Sequence, residues 1–192
     1  MIDPLEAARV LARERGGAIV VPHPSNELYW SAVSDAPDLD FLPPQTDGEV
    51  AAFSLGLAMA RPDDRFIILD TDEGLLSSLG TLVTISDAEP TNLVHVVFQS
   101  GKRQGAACLP LPGADRTDFG LLALGAGYTN AHQFDDLEEL ASEASRIIAA
   151  PGPTMVIVKI GPPGRAHNIA DPPRRYDMTD AVRRYRDTLS GR

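Results

Sequence analysis

Two short polar stretches, each directly behind an apolar run, hold the residues of this 192-residue chain best suited to chemistry. Behind Arg65 to Asp70 (R-F-I-I-L-D) stands Asp70-Thr71-Asp72-Glu73-Gly74. Behind Asn92 to Gln99 (N-L-V-H-V-V-F-Q) stands Gln99-Ser100-Gly101-Lys102. At a strand end, Asp72 is either an oxygen ligand for a hard cation or an ordinary helix N-cap. Glu73 reads as a first-turn acid favoured by the helix dipole, with an added metal ligand as the sharper alternative. Ser100 either coordinates a metal weakly or ends a strand. Lys102 and Arg103 either meet an anion or lie in a solvated loop. His23, set between two prolines, is a candidate for substrate contact, whereas His95 reads as a core or helix-facing residue inside a strand. With His132 and His167 they show no metal-type spacing. Cys108 has no partner motif and reads as a small buried or half-buried residue.

These loops need a scaffold, and apolar runs alternating with helical patterns supply one. Asp3-Pro4 starts a helix that ends at Gly16-Gly17. Ala18 to Val21 is a buried strand, Ser25 to Ser34 a helix capped by Ser25, and Phe41-Leu42 a brief strand. Asp47 to Ala60 is an Ala/Leu/Gly-rich helix. Arg65 to Asp70 and Asn92 to Gln99 are strands, with a helix from Gly74 to Ser86 between them. Asp118 to Gly127 and Asp135 to Ala150 are helices, Thr154 to Ile160 a strand, and Met178 to Leu189 a last basic helix. Continuously apolar strands are covered on both faces, so the pattern predicts an α/β domain: a doubly wound, mostly parallel sheet with helices on both sides. Residues 1–170 form that domain. Residues 171–192, a Pro-rich stretch and the basic helix, pack on it or on a partner. Ligands in such folds sit at the carboxyl ends of the strands, where both polar stretches fall.

Composition narrows the field. The net charge is −10 and the pI about 4.7, which disfavours a nucleic-acid binder. Arg174, Arg175, Arg183, Arg184 and Arg186 form a basic patch better suited to docking on an acidic protein surface. No apolar run approaches the ~20 residues that span a bilayer, and one cysteine fits a reducing cytoplasm. The chain has neither G-x-G-x-x-G nor G-x₄-G-K-[ST], which counts against an unrelated nucleotide-binding fold.

From Ala60 to Ser100 the chain resembles, without a gap, the diphosphate-binding (C-terminal) domain of thiamine-diphosphate enzymes. It looks most like the phosphonopyruvate and sulfopyruvate decarboxylases. Their pattern is roughly A-R-P-D-R-x-V-x-x-L-D-G-D-G-S-L-L-M-N-L-G-x-L-x-T-I, then P-x-N-L-x-x-V-V-L-D-N. Leu75, Leu76, Leu79, Gly80, Leu82, Thr84 and Ile85 carry the most specific part. Ser25-Asn26-Glu27-Leu28, Gly56-Leu57-Ala58, Asp118-Phe119 and Gly125-Ala126-Gly127-Tyr128 extend the likeness over nearly the whole chain. The resemblance implies a thiamine-diphosphate-binding fold and a carboxy-lyase acting on a small 2-oxo acid. It implies thiamine diphosphate and Mg²⁺ as cofactors. The metal positions map to Asp72, Ser100 and the carbonyl of Lys102. The diphosphate and thiamine positions map to Thr71, Asp72, Glu73, Gly74, Gln45, Thr46, Asp47 and Lys102. A second, pyrimidine-binding unit supplies the activating glutamate in such enzymes, and this length holds one unit of that size. A catalytic chain would therefore need a partner subunit, and the resemblance separately implies a homo-oligomer, a dimer or larger.

The functional positions depart from the pattern. G-D-G-S is here Thr71-Asp72-Glu73-Gly74, which puts a carboxylate where glycine lets amides approach phosphate. The metal-binding Asn is Ser100. The thiamine-holding G-S-M-G-H is Gln45-Thr46-Asp47-Gly48-Glu49, with two added acids. Two expectations follow: a retuned decarboxylase subunit, or a non-catalytic homologue serving as a structural or regulatory partner.

Overall fold

The computed structural model describes residues 1–42, 49–103, 109–114, 116–162 and 178–190. Asp3 caps α1 (Pro4–Glu14), its carboxylate accepting the amides of Leu5 and Glu6. Next come β1 (Ile19–Pro22), α2 (Pro24–Ser31), a short 3₁₀ turn at Pro37–Leu39 and α3 (Val50–Ala60). The central stretch is β2 (Phe66–Thr71), α4 (Asp72–Ser77), α5 (Thr81–Ala88) and β3 (Leu93–Gln99). Then follow α6 (Phe119–Ala126), β4 (Asn130–Phe134), α7 (Leu137–Ala149), β5 (Thr154–Lys159) and α8 (Met178–Ser190).

The five strands form one sheet in the order β1-β2-β3-β5-β4, and every pairing is parallel. Alternate residues of each strand feed opposite faces. Ile67, Leu69, Val94 and Val96 join Leu11 of α1, Trp30 of α2 and Ile147 of α7 on one side. Phe66, Ile68, Leu93 and Val97 join Leu55 of α3, Ile85 of α5 and Ala123 of α6 on the other. The sheet is therefore doubly wound, as expected. The chain leaves β1 toward the α2 face and β2 toward the opposite face, which opens a crevice at their carboxyl ends. The turn from β2 into α4 lies there. Among the described residues of 171–192, α8 lies against the 3₁₀ turn.

Four local expectations are corrected. The helix foreseen from Gly74 to Ser86 is two helices. Ser77 and Ser78 hydroxyls donate back to the carbonyls of Glu73 and Gly74, a competition that bends or ends helices, and α5 restarts behind Gly80. Phe41-Leu42 forms no strand; instead Phe41 donates one amide bond to Val20 and Asp40 makes an isolated bridge. The cap of α2 is His23, whose Nδ1 accepts the Ser25 amide, rather than Ser25. Finally, β4 was not foreseen. It is an edge strand in which only Phe134 is buried, so its N-A-H-Q-F sequence lacks the apolar run of an interior strand.

Candidate functional site

Burial at the end of β2 turns most polar groups there to partners within the protein, Asn26 Oδ1 excepted. Asp70, Thr71 and Asp72 are all essentially inaccessible to solvent. Thr71 caps α4, its Oγ1 accepting the Gly74 amide at 2.9 Å. Asp70 Oδ1 accepts the Thr71 amide at 2.7 Å, and its Oδ2 lies 3.2 Å from His95 Nε2. His95 Nδ1 lies 3.2 Å from the Tyr128 hydroxyl. His95 pairs in register with Ile68, so Asp70, two residues on, shares its face of the sheet. Burial first, and the Asp70 charge second, drive the Tyr128 phenol pKa strongly upward. His95 is thus a core residue as expected, but one that holds a buried acid–imidazole–phenol chain beneath the loop. A histidine in an otherwise apolar strand was the signal for it. From the other side Asn26 Nδ2 donates to the carbonyls of Leu69 and Asp70, at 3.1 and 2.7 Å.

Gly74 packs directly on this chain. A Cβ there would lie 2.4 Å from Asp70 Oδ1, 3.1 Å from Thr71 Oγ1 and 3.1 Å from His23 Cδ2. Alanine normally favours a helix over glycine by about 1 kcal/mol. Here Gly74→Ala is expected to destabilise by about 1–3 kcal/mol, as overpacking does. Thermal melting should show a midpoint lowered by about 2–12 °C for a chain of this size. A raised midpoint would refute the close packing. His23 itself is buried and spends Nδ1 on the α2 cap.

The three positions foreseen as metal donors come together. Asp72 Oδ2 accepts the Gly101 amide at 2.6 Å, and Oδ1 accepts the Glu73 amide at 3.1 Å. The Ser100 hydroxyl lies 3.4 Å from Asp72 Oδ1 and 3.0 Å from the Lys102 carbonyl oxygen. It also accepts the Lys102 amide at 3.1 Å. Burial pushes the Asp72 carboxyl pKa up, while the amides of Gly101, Glu73 and Ser100 pull it back. A carboxylate, a hydroxyl and a carbonyl form the all-oxygen set that a hard divalent cation takes. Among the described residues no three His, Cys, Asp or Glu side chains gather as a metal cluster, so a cation here rests on that mixed set.

The turn into α4, to which the resemblance assigns the diphosphate, differs. The amides of Thr71, Glu73 and Gly74 are taken by the side chains of Asp70, Asp72 and Thr71. Glu73 accepts from Arg103 Nε at 2.9 Å in a partly exposed ion pair. The residues therefore fit a divalent cation, while the turn into α4 offers no set of free amides to a diphosphate. Gln45, Thr46, Asp47 and Cys108 lie outside the described residues, as do Arg174 and Arg175; Arg183 and Arg186 are exposed on α8. No described helix is long and apolar enough to cross a membrane.

No family model matches the chain, but named relatives do. It is 31% identical over 143 residues to phosphonopyruvate decarboxylase of Streptomyces viridochromogenes, covering 72% of this chain and 34% of that protein. It is 30% identical over 141 residues to the β subunit of sulfopyruvate decarboxylase of Methanothermobacter thermautotrophicus, covering 72% of this chain and 70% of that subunit. The chain thus spans about a third of the phosphonopyruvate decarboxylases it matches and most of the sulfopyruvate β subunit. A thiamin diphosphate-dependent enzyme of Mycobacterium smegmatis shares the fold at TM-score 0.72 and 20% identity, over 84% of this chain and 32% of that one. The 4-hydroxybenzoylformate decarboxylase of Rhodococcus jostii RHA1, also thiamine diphosphate-dependent, does so at 0.64 and 19%, over 83% and 33%. With the motif from Ala60 to Ser100 carried on β2, α4, α5 and β3, the chain belongs to the phosphonopyruvate/sulfopyruvate decarboxylase family, as its thiamine-diphosphate-type C-terminal domain.

Proposed function

We propose that this chain is the diphosphate- and metal-binding half of a two-subunit, thiamine-diphosphate-dependent 2-oxo-acid decarboxylase. The observation that carries the reading is the convergence of Asp72, the Ser100 hydroxyl and the Lys102 carbonyl from two separate loops. Those three oxygens would hold Mg²⁺, and the cation, with the Lys102 side chain, would anchor the diphosphate. When bound, thiamine diphosphate supplies the carbanion-stabilising chemistry of decarboxylation. The protein's part is to fix the donors. Gly101 orients Asp72 through its amide, and the Asp70–His95–Tyr128 chain braces the strand end beneath.

A sulfopyruvate decarboxylase relative is itself named a β subunit, which supports a second, pyrimidine-binding subunit as partner. Helices α3 and α6 carry no charged residue and leave Met59, Leu121 and Leu124 exposed. Helices apolar on all sides are usually covered, which supports association in an oligomer. A non-catalytic reading has its own support in the side-chain-filled amides of α4 and in Glu73. The two readings separate when the tagged chain is purified from its own cells. The catalytic reading expects a second α/β subunit to co-purify. The pair should release CO₂ from sulfopyruvate or phosphonopyruvate only with thiamine diphosphate and Mg²⁺. A chain that purifies alone or in a pair, and releases none, would favour the non-catalytic reading.

A further inference from the structure

On this acidic protein most described arginines already have an acid. Arg9 pairs with Glu6, Arg15 with Asp40, Arg61 with Asp64, Arg103 with Glu73, Arg146 with Glu143 and Arg186 with Asp187. Two cations that line one cavity do not. Lys159 and Arg116 face a concavity of about 430 Å³, together with Gln99, Gln133 and Thr117, and neither has an acidic partner among the described residues. The nearby acid, Asp118, also on the rim, turns Oδ1 to its own helix and accepts the Leu121 amide at 2.9 Å.

The position is a productive one for a ligand. Lys159 ends β5, an interior strand, and its register partner Gln99 ends β3. Gln133 stands on the neighbouring β4. The cavity therefore opens at the carboxyl edge of three adjacent parallel strands, where α/β folds bind ligands. Its size lies within the ~300–1,000 Å³ of small-molecule pockets. Lys159 is half-buried, so its charge has lost part of its water without gaining a counter-charge. A bound anion would give both cations the counter-charge they lack. The two amide side chains can donate to or accept from an uncharged polar remainder. The Ser100–Gly101 backbone forms one wall, and the Gly101 amide points to Asp72.

We propose that this cavity is a binding site for a small anionic metabolite, held through a carboxylate or phosphoryl group by Lys159 and Arg116. It does not depend on cation binding at Asp72. The test is an amide-shift NMR titration of the full chain with sodium phosphate and, separately, with malonate, at constant ionic strength. Saturable shifts are expected at Gln99, Gly101, Thr117 and Lys159 in at least one arm, and the arm that saturates at lower concentration names the anion class. Arg116→Gln, on an exposed loop, should weaken binding about tenfold or more, as loss of one charged hydrogen bond does. Lys159→Gln should do the same, and the double variant should not saturate; its unchanged melting midpoint would exclude misfolding. Shifts that rise linearly in both arms would overturn the proposal. So would saturation that survives the double variant, or shifts centred on Asp72 to Gly74.

Discussion

Asp72→Asn is expected to abolish divalent-cation binding while leaving the fold intact. Asparagine keeps the shape of the side chain, and its oxygen can still accept the Gly101 amide that now reaches Asp72 Oδ2 at 2.6 Å. What it loses is the one carboxylate of the donor set. The Ser100 hydroxyl and the Lys102 carbonyl remain, but two neutral oxygens do not hold a hard cation against water. Loss of groups that merely orient metal ligands costs about 10–100-fold in affinity, so loss of the carboxylate itself should cost at least about 100-fold. Mn²⁺ titrated into the chain and followed by electron paramagnetic resonance reads this directly. Equal Mn²⁺ affinity for both proteins would remove Asp72 from the site.

The largest effect on stability is expected at Arg15. Its side chain is 2% exposed and that of Asp40 is 8% exposed. Arg15 donates to Asp40 at 2.7 Å, to Ser34 Oγ, and to the carbonyls of Ala18 and Leu39. The guanidinium stacks 5.2 Å from the Trp30 ring centroid, and Trp30 Nε1 donates to the same Asp40 oxygen at 2.8 Å. This one cation therefore ties the end of α1, the start of β1 and the stretch after α2. Arg15→Leu leaves the Asp40 charge buried with the indole N–H. Breaking a buried pair from one side costs about 3–5 kcal/mol, or about 6–20 °C in melting midpoint at this chain length. Adding Asp40→Asn to Arg15→Leu should recover part of the loss, because the orphaned charge is then gone. A single variant that melts within a degree of the parent would show that the pair does not hold these segments.

Much of the site was legible because its scaffold is built from interior strands. The runs F-I-I-L and L-V-H-V-V-F are buried on both faces, and their short length and β-branched content mark them as central strands of a covered sheet. That fixed where the two loops lie, and the motif around them identified Asp72, Ser100 and Lys102, which the structure brings within hydrogen-bond reach. The edge was not legible. Residues 130 to 134 pair through backbone to β5 alone, and their side chains carry no pattern that distinguishes strand from loop. The break between α4 and α5 was also hidden, because Leu75, Leu82 and Ile85 keep an apolar stripe through it. At the break the hydroxyls of Ser77 and Ser78 turn back on the helix, and Gly80 precedes the restart. The Asp70–His95–Tyr128 chain needed the register of two strands and a residue from a third element, which no linear spacing displays. The cavity at Lys159 and Arg116 has the same origin, since its walls come from three strand ends.

If the oxygen set at Asp72 anchors thiamine diphosphate through a divalent cation, cofactor binding must depend on that cation. Isothermal titration of thiamine diphosphate tests it most directly, run into the chain and into the complex it forms in its own cells. Each is titrated once with Mg²⁺ and once with EDTA. Saturable heat is expected with Mg²⁺, and it should vanish in EDTA and in Asp72→Asn. No heat from either the chain or its complex at millimolar cofactor would contradict it and leave the non-catalytic reading.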